Sequence, residues 1–315
     1  MYKQIASNKR RSVIYVLLFF VIWVGIGALL GLLVAGLSSS SSGSGSTAAD
    51  ADVLTGMVIA GIFALLGILV SVRLGSRIVL SVSGAQPADP NRYAALHNIV
   101  EALAIGDGIP KPDVYVIDDP SPNAFATGMS PNHAAVTATT GLLAIMNREE
   151  LEGVIGHEMS HIKNYDVRLL LIVSTLIGMA GLLASLIWRS AFFMRTRGRN
   201  SGQIMIVVLL AGLLLGLVAL VFGPLIRLAL SRRREELADV SGVELTRNPA
   251  GLISALRKLE QNDQPFARFN HATAAMCIDD PLQHHESWMH RLFDTHPPIS
   301  ERIAVLERIM QGQST

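Results

Sequence analysis

The sequence LEGVIGHEMSHIKNYDVRLLLIVSTLIGM, residues 151–179, places a candidate metal-binding motif directly before a long apolar run. Two histidines of HEMSH stand four residues apart, which puts His157 and His161 on one face of an α-helix. Both imidazoles can then bind one tetrahedral zinc ion. Glu158 would lie beside the metal, where a carboxylate can take a proton from water. The motif predicts a zinc hydrolase, and the alternative is a pair of histidines on a solvated helix face.

A third protein ligand has to come from elsewhere, because no histidine follows His161 within reach. The sequence REELADVSG, residues 234–242, supplies Glu235 and Asp239 on one predicted helical face. Glu235 fits as a ligand, and Asp239 can accept a hydrogen bond from a ligating histidine and fix its tautomer. Glu236 points about 100° away around the helix, so we favour Glu235. A solvated Glu235 that pairs with the neighbouring arginines is the alternative.

Composition indicates a membrane protein. Hydrophobic residues make up 50% of the 315 residues and charged residues only 16%, against about 25% in typical soluble domains. The formal net charge of +1 excludes a strongly basic nucleic-acid-binding protein. A single cysteine, Cys277, cannot form a disulfide within the chain, so nothing indicates an oxidising compartment.

Four apolar segments are long enough to cross a bilayer, which takes about 20 residues. A basic tail, Lys9-Arg10-Arg11, precedes the first and favours a cytoplasmic N-terminus. That first segment is longer than the apolar core of a signal peptide, so we expect an uncleaved anchor. The four segments are residues 13–37, 54–72, 169–188 and 204–230.

The rest of the chain divides into a tail, a linker and a split catalytic domain. We expect a cytoplasmic tail over residues 1–12 and a flexible Ser/Gly-rich linker over residues 38–53. The catalytic domain is predicted in two parts, residues 73–168 and 231–315, which the third and fourth segments separate. An even number of membrane crossings would return Glu235 to the side of the histidines.

The loop between the third and fourth segments, residues 189–203, carries four arginines. Arginines on the outer side of a membrane strain the positive-inside rule. Two arrangements of these segments therefore stay open: both span the bilayer, or they form a hairpin partly shielded by protein.

Local patterns predict α+β structure in the catalytic domain. Residues 90–110 have helical spacing, residues 111–119 have the pattern of a short strand, and two further strands follow within residues 123–139. Asn147 and Glu150 form a capping box, which predicts a helix from about Arg148 through both histidines. A closing helix is predicted with Pro298 in its first turn and an apolar stripe of Ile299, Ile303, Leu306 and Ile309.

HEMSH, followed by two apolar segments and then SRRREELADVSG, resembles the HtpX family of membrane zinc metalloproteases, relatives of the CAAX-processing proteases. NAFATG, TATTGLL, ELEGVIGHEMSHIKNYD and THPPISERI match the family pattern in order, so the resemblance covers nearly the whole chain. It implies an α+β membrane protein with about four hydrophobic helices. The catalytic domain would be mainly helical, of the zincin (gluzincin) type, with a small β-sheet.

For the site, the resemblance implies one Zn²⁺ per chain, with His157, His161 and Glu235 as ligands and Glu158 as the base. It implies that His296 approaches the oxyanion, and a turn or capping role is the alternative. The pair His284–His285 is a weaker candidate for a second metal site. An edge strand would pair with extended substrate; its residues are Asn123, Ala124, Phe125, Ala126 and Thr127.

The implied activity is endoproteolysis of membrane or misfolded proteins at the cytoplasmic face of a bacterial inner membrane, in quality control and the stress response. The expected partners are protein substrates and the lipid bilayer, without nucleic acid. A dedicated processing enzyme for one substrate class is an alternative that the sequence leaves open. An inactive, zinc-stabilised membrane scaffold is another, although the intact Glu158 argues against it.

Overall fold

The computed structural model contains two compact units. One unit comprises Met1–Arg10, Leu74–Ser174 and Pro224–Thr315, and the other comprises Arg11–Arg73 and Thr175–Gly223. The first unit holds the metal-binding motif together with the N-terminal end of the chain. The residues that the structure describes are 2–42, 46–194, 209–210, 212–214, 216, 232–261 and 298–311.

Two long helices contain the first two predicted membrane segments: α1, Tyr2–Ser42, and α2, Ser46–Val82. Within the described residues, Ile5–Gly36 and Thr47–Val82 are the two helical stretches long and apolar enough to cross a membrane. Many of their large apolar side chains are exposed, which suits contact with lipid. The predicted number of about four hydrophobic helices is not confirmed, since most of residues 204–230 lies outside the described chain.

Both helices are longer than the apolar segments that predicted them. α1 includes most of the predicted basic tail, and together α1 and α2 include most of residues 38–53, which the sequence predicts as a flexible linker. Serine is only moderately unfavourable in a helix, so a helix that an apolar run has nucleated continues through such residues. Glycines allow close approach here: a Cβ on Gly27 would overlap the Gly56 carbonyl.

A small mixed sheet lies in the unit that holds the motif, with strand order β1–β2–β4–β3. β2 runs parallel to β4, and both outer pairs are antiparallel. The sequence predicts three of these strands, but it does not predict β1, which is too short to show any alternation. The strands are β1, Gln86–Pro87; β2, Asp113–Ile117; β3, Ala124–Ser130; and β4, His133–Thr139.

Helices pack against this sheet around one apolar core. Leu96, Val136, Val154, Leu252 and Leu306 are almost fully buried and come from five different elements of the unit. The last helix begins directly after Pro298, which caps it rather than standing in its first turn. The helices are α3, Ala94–Asp107; α4, Thr140–Ile145; α5, Arg148–Lys163; α6, Asp166–Met194; α7, Arg232–Thr246; α8, Pro249–Glu260; and α9, Ile299–Met310.

The capping box fixes the start of α5 and connects it to α8. The Asn147 side chain accepts the Glu150 N–H at 2.9 Å, and Glu150 accepts the Asn147 N–H at 2.8 Å. Glu150 also accepts hydrogen bonds from the Ser254 hydroxyl and the Lys258 ammonium, both at 2.6 Å. Burial opposes the charged form, but Lys258 and these other donors lower the pKa of Glu150.

Replacing Glu150 with alanine should destabilise the fold, because one carboxylate serves both the cap and the bond to α8. We expect the free energy of unfolding to fall by about 1–3 kcal/mol, measured by unfolding of the full chain in detergent. Glu149→Ala is the control: this exposed neighbour accepts one long hydrogen bond, from Asn248 at 3.3 Å, and its replacement should cost less than about 0.5 kcal/mol.

The pKa of Glu150 is lower in the folded state than in the unfolded state. Its stabilising charge is therefore present above the unfolded pKa and lost as the pH falls through the folded pKa. The difference in the free energy of unfolding between wild type and Glu150→Ala should become smaller in strong acid. A gap of the same size at neutral and at strongly acidic pH would contradict this account.

Candidate metal centre

Helices α5 and α7 bring three buried ligand atoms together. The Nε2 atoms of His157 and His161 lie 3.2 Å apart. Glu235 Oε2 lies 3.6 Å from His157 Nε2, and Glu235 Oε1 lies 3.6 Å from His161 Nε2. All three residues are buried. Glu236, the alternative ligand, is exposed.

The spacing of these donors fits one metal ion. A tetrahedral zinc ion with bonds of about 2.1 Å holds its ligands about 3.4 Å from one another. The three observed separations, 3.2, 3.6 and 3.6 Å, fall close to that value. Two imidazoles and one carboxylate are also a donor set that suits zinc.

A carboxylate and an arginine hold the ring of His157. Asp239 Oδ1 lies 2.8 Å from Nδ1 of His157, which keeps the proton on Nδ1 and leaves the Nε2 lone pair for a metal. Arg302 donates to Asp239 in a two-point fork, from Nε to Oδ2 at 2.9 Å and from Nη2 to Oδ1 at 2.7 Å. Asp239 is the residue that the sequence proposes for contact with a ligating histidine, whereas Arg302 was not identified from the sequence.

The position of Arg302 in the sequence already indicates that its side chain is buried. It stands three residues after Ile299 and directly before Ile303, so it lies on the apolar face of α9. A charged residue on a buried face requires a buried partner. Its exposed fraction is 2%, and that partner is Asp239.

A second carboxylate faces the ring of His161. Asp166 Oδ2 lies 3.4 Å from Nδ1 of His161, and Asp166 Oδ1 lies 3.5 Å from Nη1 of Arg234. Asp166 was not identified from the sequence, where an acidic residue in the first turn of a helix is ordinary. Each histidine therefore has its own carboxylate, and each carboxylate has its own arginine.

Negative charge exceeds positive charge around the histidines in the part of the chain that the structure describes. With both imidazoles neutral, two negative charges are left over, and buried charges are costly without partners. A divalent cation at the three donors would balance them. The buried charged residues concerned are Glu158, Asp166, Glu235, Asp239, Arg234 and Arg302.

The surplus charge affects the two imidazoles differently. Burial, together with the Arg302 guanidinium, lowers the pKa of His157 to about 4, so this ring is neutral. Burial also opposes protonation of His161, but the carboxylates of Glu235 and Asp166 outweigh it and raise the pKa of His161 to about 9. The side of the site next to His161 therefore stabilises positive charge.

Glu158 lies in the same buried environment. It is 2% exposed, and its negative charge raises the pKa values of both His161 and Arg302. A buried carboxylate that follows a candidate ligand directly in the helix is suited to exchange protons with a reacting water molecule.

The structure describes the predicted substrate strand but not the predicted oxyanion residue. Residues 123–127 are buried, and β3, which contains all of them but Asn123, lies at the edge of the described sheet and contacts α5. His296 lies outside the described residues, as do Cys277 and the pair His284–His285.

Glycine lets α7 approach the histidine helix. A Cβ on Gly242 would lie 2.9 Å from the backbone nitrogen of His157 and 3.1 Å from the carbonyl carbon of Gly156. Such separations are too short for any side chain, so the helix backbones are almost in contact. This contact sets the position of Glu235 and Asp239 relative to His157.

Comparison with known proteins assigns the chain to a family. The sequence profile of Peptidase family M48 matches residues 90–310, which include the three candidate ligands and Arg302. The chain belongs to peptidase family M48. Membership supports a metallopeptidase, and M48 peptidases typically use zinc.

Similar proteins match this chain over nearly its whole length. A "Protease HtpX homolog" from Streptococcus mutans is 44% identical and one from Streptococcus thermophilus is 41% identical, each over 98% of this chain and 100% of the relative. These relatives confirm the resemblance to HtpX proteases and support a membrane-associated M48 metalloprotease. The crystal structure of S. mikatae Ste24p is similar with a TM-score of 0.49 and 19% identity, over 98% of this chain and 67% of that chain.

We expect Gly242→Ala to weaken metal binding, because the added Cβ would push α7 and its two carboxylates away from His157. The apparent zinc affinity should fall by about tenfold or more, measured by competition with a chelator. Ser241→Ala, next to it on the same helix, is the matched control and should bind zinc normally. Unchanged affinity in Gly242→Ala would show that the helix contact does not set the site.

Proposed function

We propose that the chain is a zinc-dependent metalloendopeptidase that cleaves membrane or misfolded proteins at the cytoplasmic face of a bacterial inner membrane. The observation that carries this proposal is the spacing of three buried donors on α5 and α7, with Glu158 on the same turn of α5. A role in protein quality control and the stress response is part of the proposal. Membership of the M48 family and the HtpX relatives support it.

His157, His161 and Glu235 would hold the zinc ion. When bound, zinc supplies Lewis-acid chemistry that makes water a nucleophile at neutral pH. Asp239 and Asp166 keep the two imidazoles in the tautomer whose Nε2 accepts a metal.

Glu158 moves the proton in this proposal. Its carboxylate takes a proton from the attacking water and returns it to the leaving amine. The role requires a carboxylate that is close to the ligands but is not itself one of them. Glu158 fits because it follows His157 directly, is buried, and acts electrostatically on His161.

Substrate would bind as an extended peptide along β3. A strand at a sheet edge can extend its sheet by pairing with a peptide backbone, and this mode tolerates varied side chains. The edge position of β3 and its contact with α5 support this assignment of residues 123–127. His296 remains a proposed stabiliser of the oxyanion, on the resemblance alone.

The proposed location follows from charge and hydropathy. The basic residues Lys9, Arg10 and Arg11 lie at one end of a helix long enough to span a bilayer, which favours a cytoplasmic N-terminus. The first residues of that helix belong to the same unit as the metal centre. Both features support an active site on the cytoplasmic side.

Replacing the proposed base should separate catalysis from metal binding. Glu158→Gln keeps the shape of the side chain but cannot accept a proton, so the cleavage rate of a membrane-protein substrate should fall by at least about 100-fold. Zinc content, measured by elemental analysis of the purified full chain, should stay at one per chain. Glu152→Gln on the same helix is the control, and cleavage at the normal rate by Glu158→Gln would exclude Glu158 as the base.

Two neighbouring glutamates test the assignment of the third ligand. Glu235→Ala should lose most bound zinc, because it removes one of the three protein ligands. Glu236→Ala is the matched control, since this exposed side chain is adjacent in sequence but points elsewhere. Loss of zinc from Glu236→Ala but not from Glu235→Ala would mean that Glu236 is the third ligand.

A further inference from the structure

The first turns of α1 reach the metal centre through one buried amide. Asn8 is 1% exposed, although it lies in a stretch that the sequence predicts as a tail. Its Nδ2 donates to the backbone oxygen of Asn164 at 2.8 Å and to Asp166 Oδ1 at 2.7 Å. Burying an amide is favourable only when its hydrogen bonds are satisfied, so this geometry is specific.

The two acceptors flank the corner between α5 and α6. Tyr165 stands at that corner with a φ of 60°, a left-handed conformation that bulky residues rarely adopt. The Lys9 ammonium lies 4.3 Å from the centre of the Tyr165 ring, which is a cation–π contact. Asn8 and Lys9 therefore stabilise the connection between α5 and α6, where the backbone conformation of Tyr165 is intrinsically unfavourable.

The same corner carries the carboxylate that faces a proposed zinc ligand. Asn8 Nδ2 and Arg234 Nη1 both approach Oδ1 of Asp166, at 2.7 and 3.5 Å. A carboxylate held at one oxygen cannot rotate freely. Its second oxygen, Oδ2, consequently stays directed toward Nδ1 of His161 at 3.4 Å.

We propose that Asn8 is a positioning residue of the metal centre. It holds Asp166 in the orientation that fixes the His161 ring, and so makes the N-terminal end of α1 part of the catalytic machinery. The inference rests on the proposed function, because it requires His161 to be a zinc ligand. Neither the HEMSH motif nor the third-ligand helix assigns a role to this end of the chain.

The test measures zinc release from the full-length protein in detergent, with a chromogenic chelator in excess. Asn8→Ala should speed zinc release by about tenfold, the lower end of what loss of an outer hydrogen-bond partner causes. Asp166→Asn should speed release at least as much. Arg10→Gln is the matched control, because Arg10 is exposed in the same helical turn, and it should release zinc at the wild-type rate.

A double variant distinguishes a positioning role of Asn8 from a general loss of fold stability. If Asn8 acts through Asp166, adding Asn8→Ala to the Asp166→Asn protein should change zinc release by less than about twofold. Visible absorption of the cobalt-substituted protein gives an independent readout, since its ligand-field bands report the geometry of the ligands. These bands should shift in Asn8→Ala and stay unchanged in Arg10→Gln.

Two results would overturn the inference while leaving the proposed function in place. One is zinc release from Asn8→Ala at the wild-type rate with an unshifted cobalt spectrum. The other is an equal acceleration in the wild-type and Asp166→Asn backgrounds, which would mean that Asn8 acts independently of Asp166. A wild-type protein that retains no zinc would overturn both proposals together.

Discussion

The candidate metal centre depends on one constraint: two imidazoles on successive turns of a helix must direct their Nε2 atoms at the same point inside the protein. A histidine ring can rotate, and its proton can sit on either nitrogen, so helical spacing alone does not ensure this arrangement. The protein fixes each ring by placing a carboxylate at Nδ1. Each buried carboxylate in turn requires a cation, and Arg302 and Arg234 supply them. The helices that carry these arginines therefore have to lie close to the histidine helix.

The parts of the candidate site that can be predicted from the sequence are local in the chain. His157, Glu158 and His161 lie within one helix, and the capping box at Asn147 and Glu150 fixes where that helix begins. The periodicity of a few neighbouring residues is enough to predict that these side chains share one helix. The pairing of Glu235 with Asp239 followed from the same helical spacing.

The parts that escaped prediction depend on contacts between distant segments. Arg302 stands on the apolar face of its helix, but only the folded chain shows that Asp239 is its partner and that Asn8 and Asp166 are buried in contact with each other. The serine-rich stretch was predicted as a linker on composition, yet residues 38–42 belong to α1 and residues 46–53 to α2. Low complexity indicates flexibility only when no neighbouring helix extends through it.

The connections to Asp239 and Asp166 join positions that are very far apart in the chain. The two hydrogen bonds from Arg302 to Asp239 come from α9, the last described helix, whereas the histidines lie in the middle of the chain. A chain emerging from the ribosome presents the HEMSH helix long before it presents α9, and folding during synthesis proceeds from the N-terminal end. Until α9 arrives, Asp239 lacks its buried counter-ion and the His157 ring lacks a fixed support. The buried charge pair that supports His157 is therefore completed only after α9 has been synthesised.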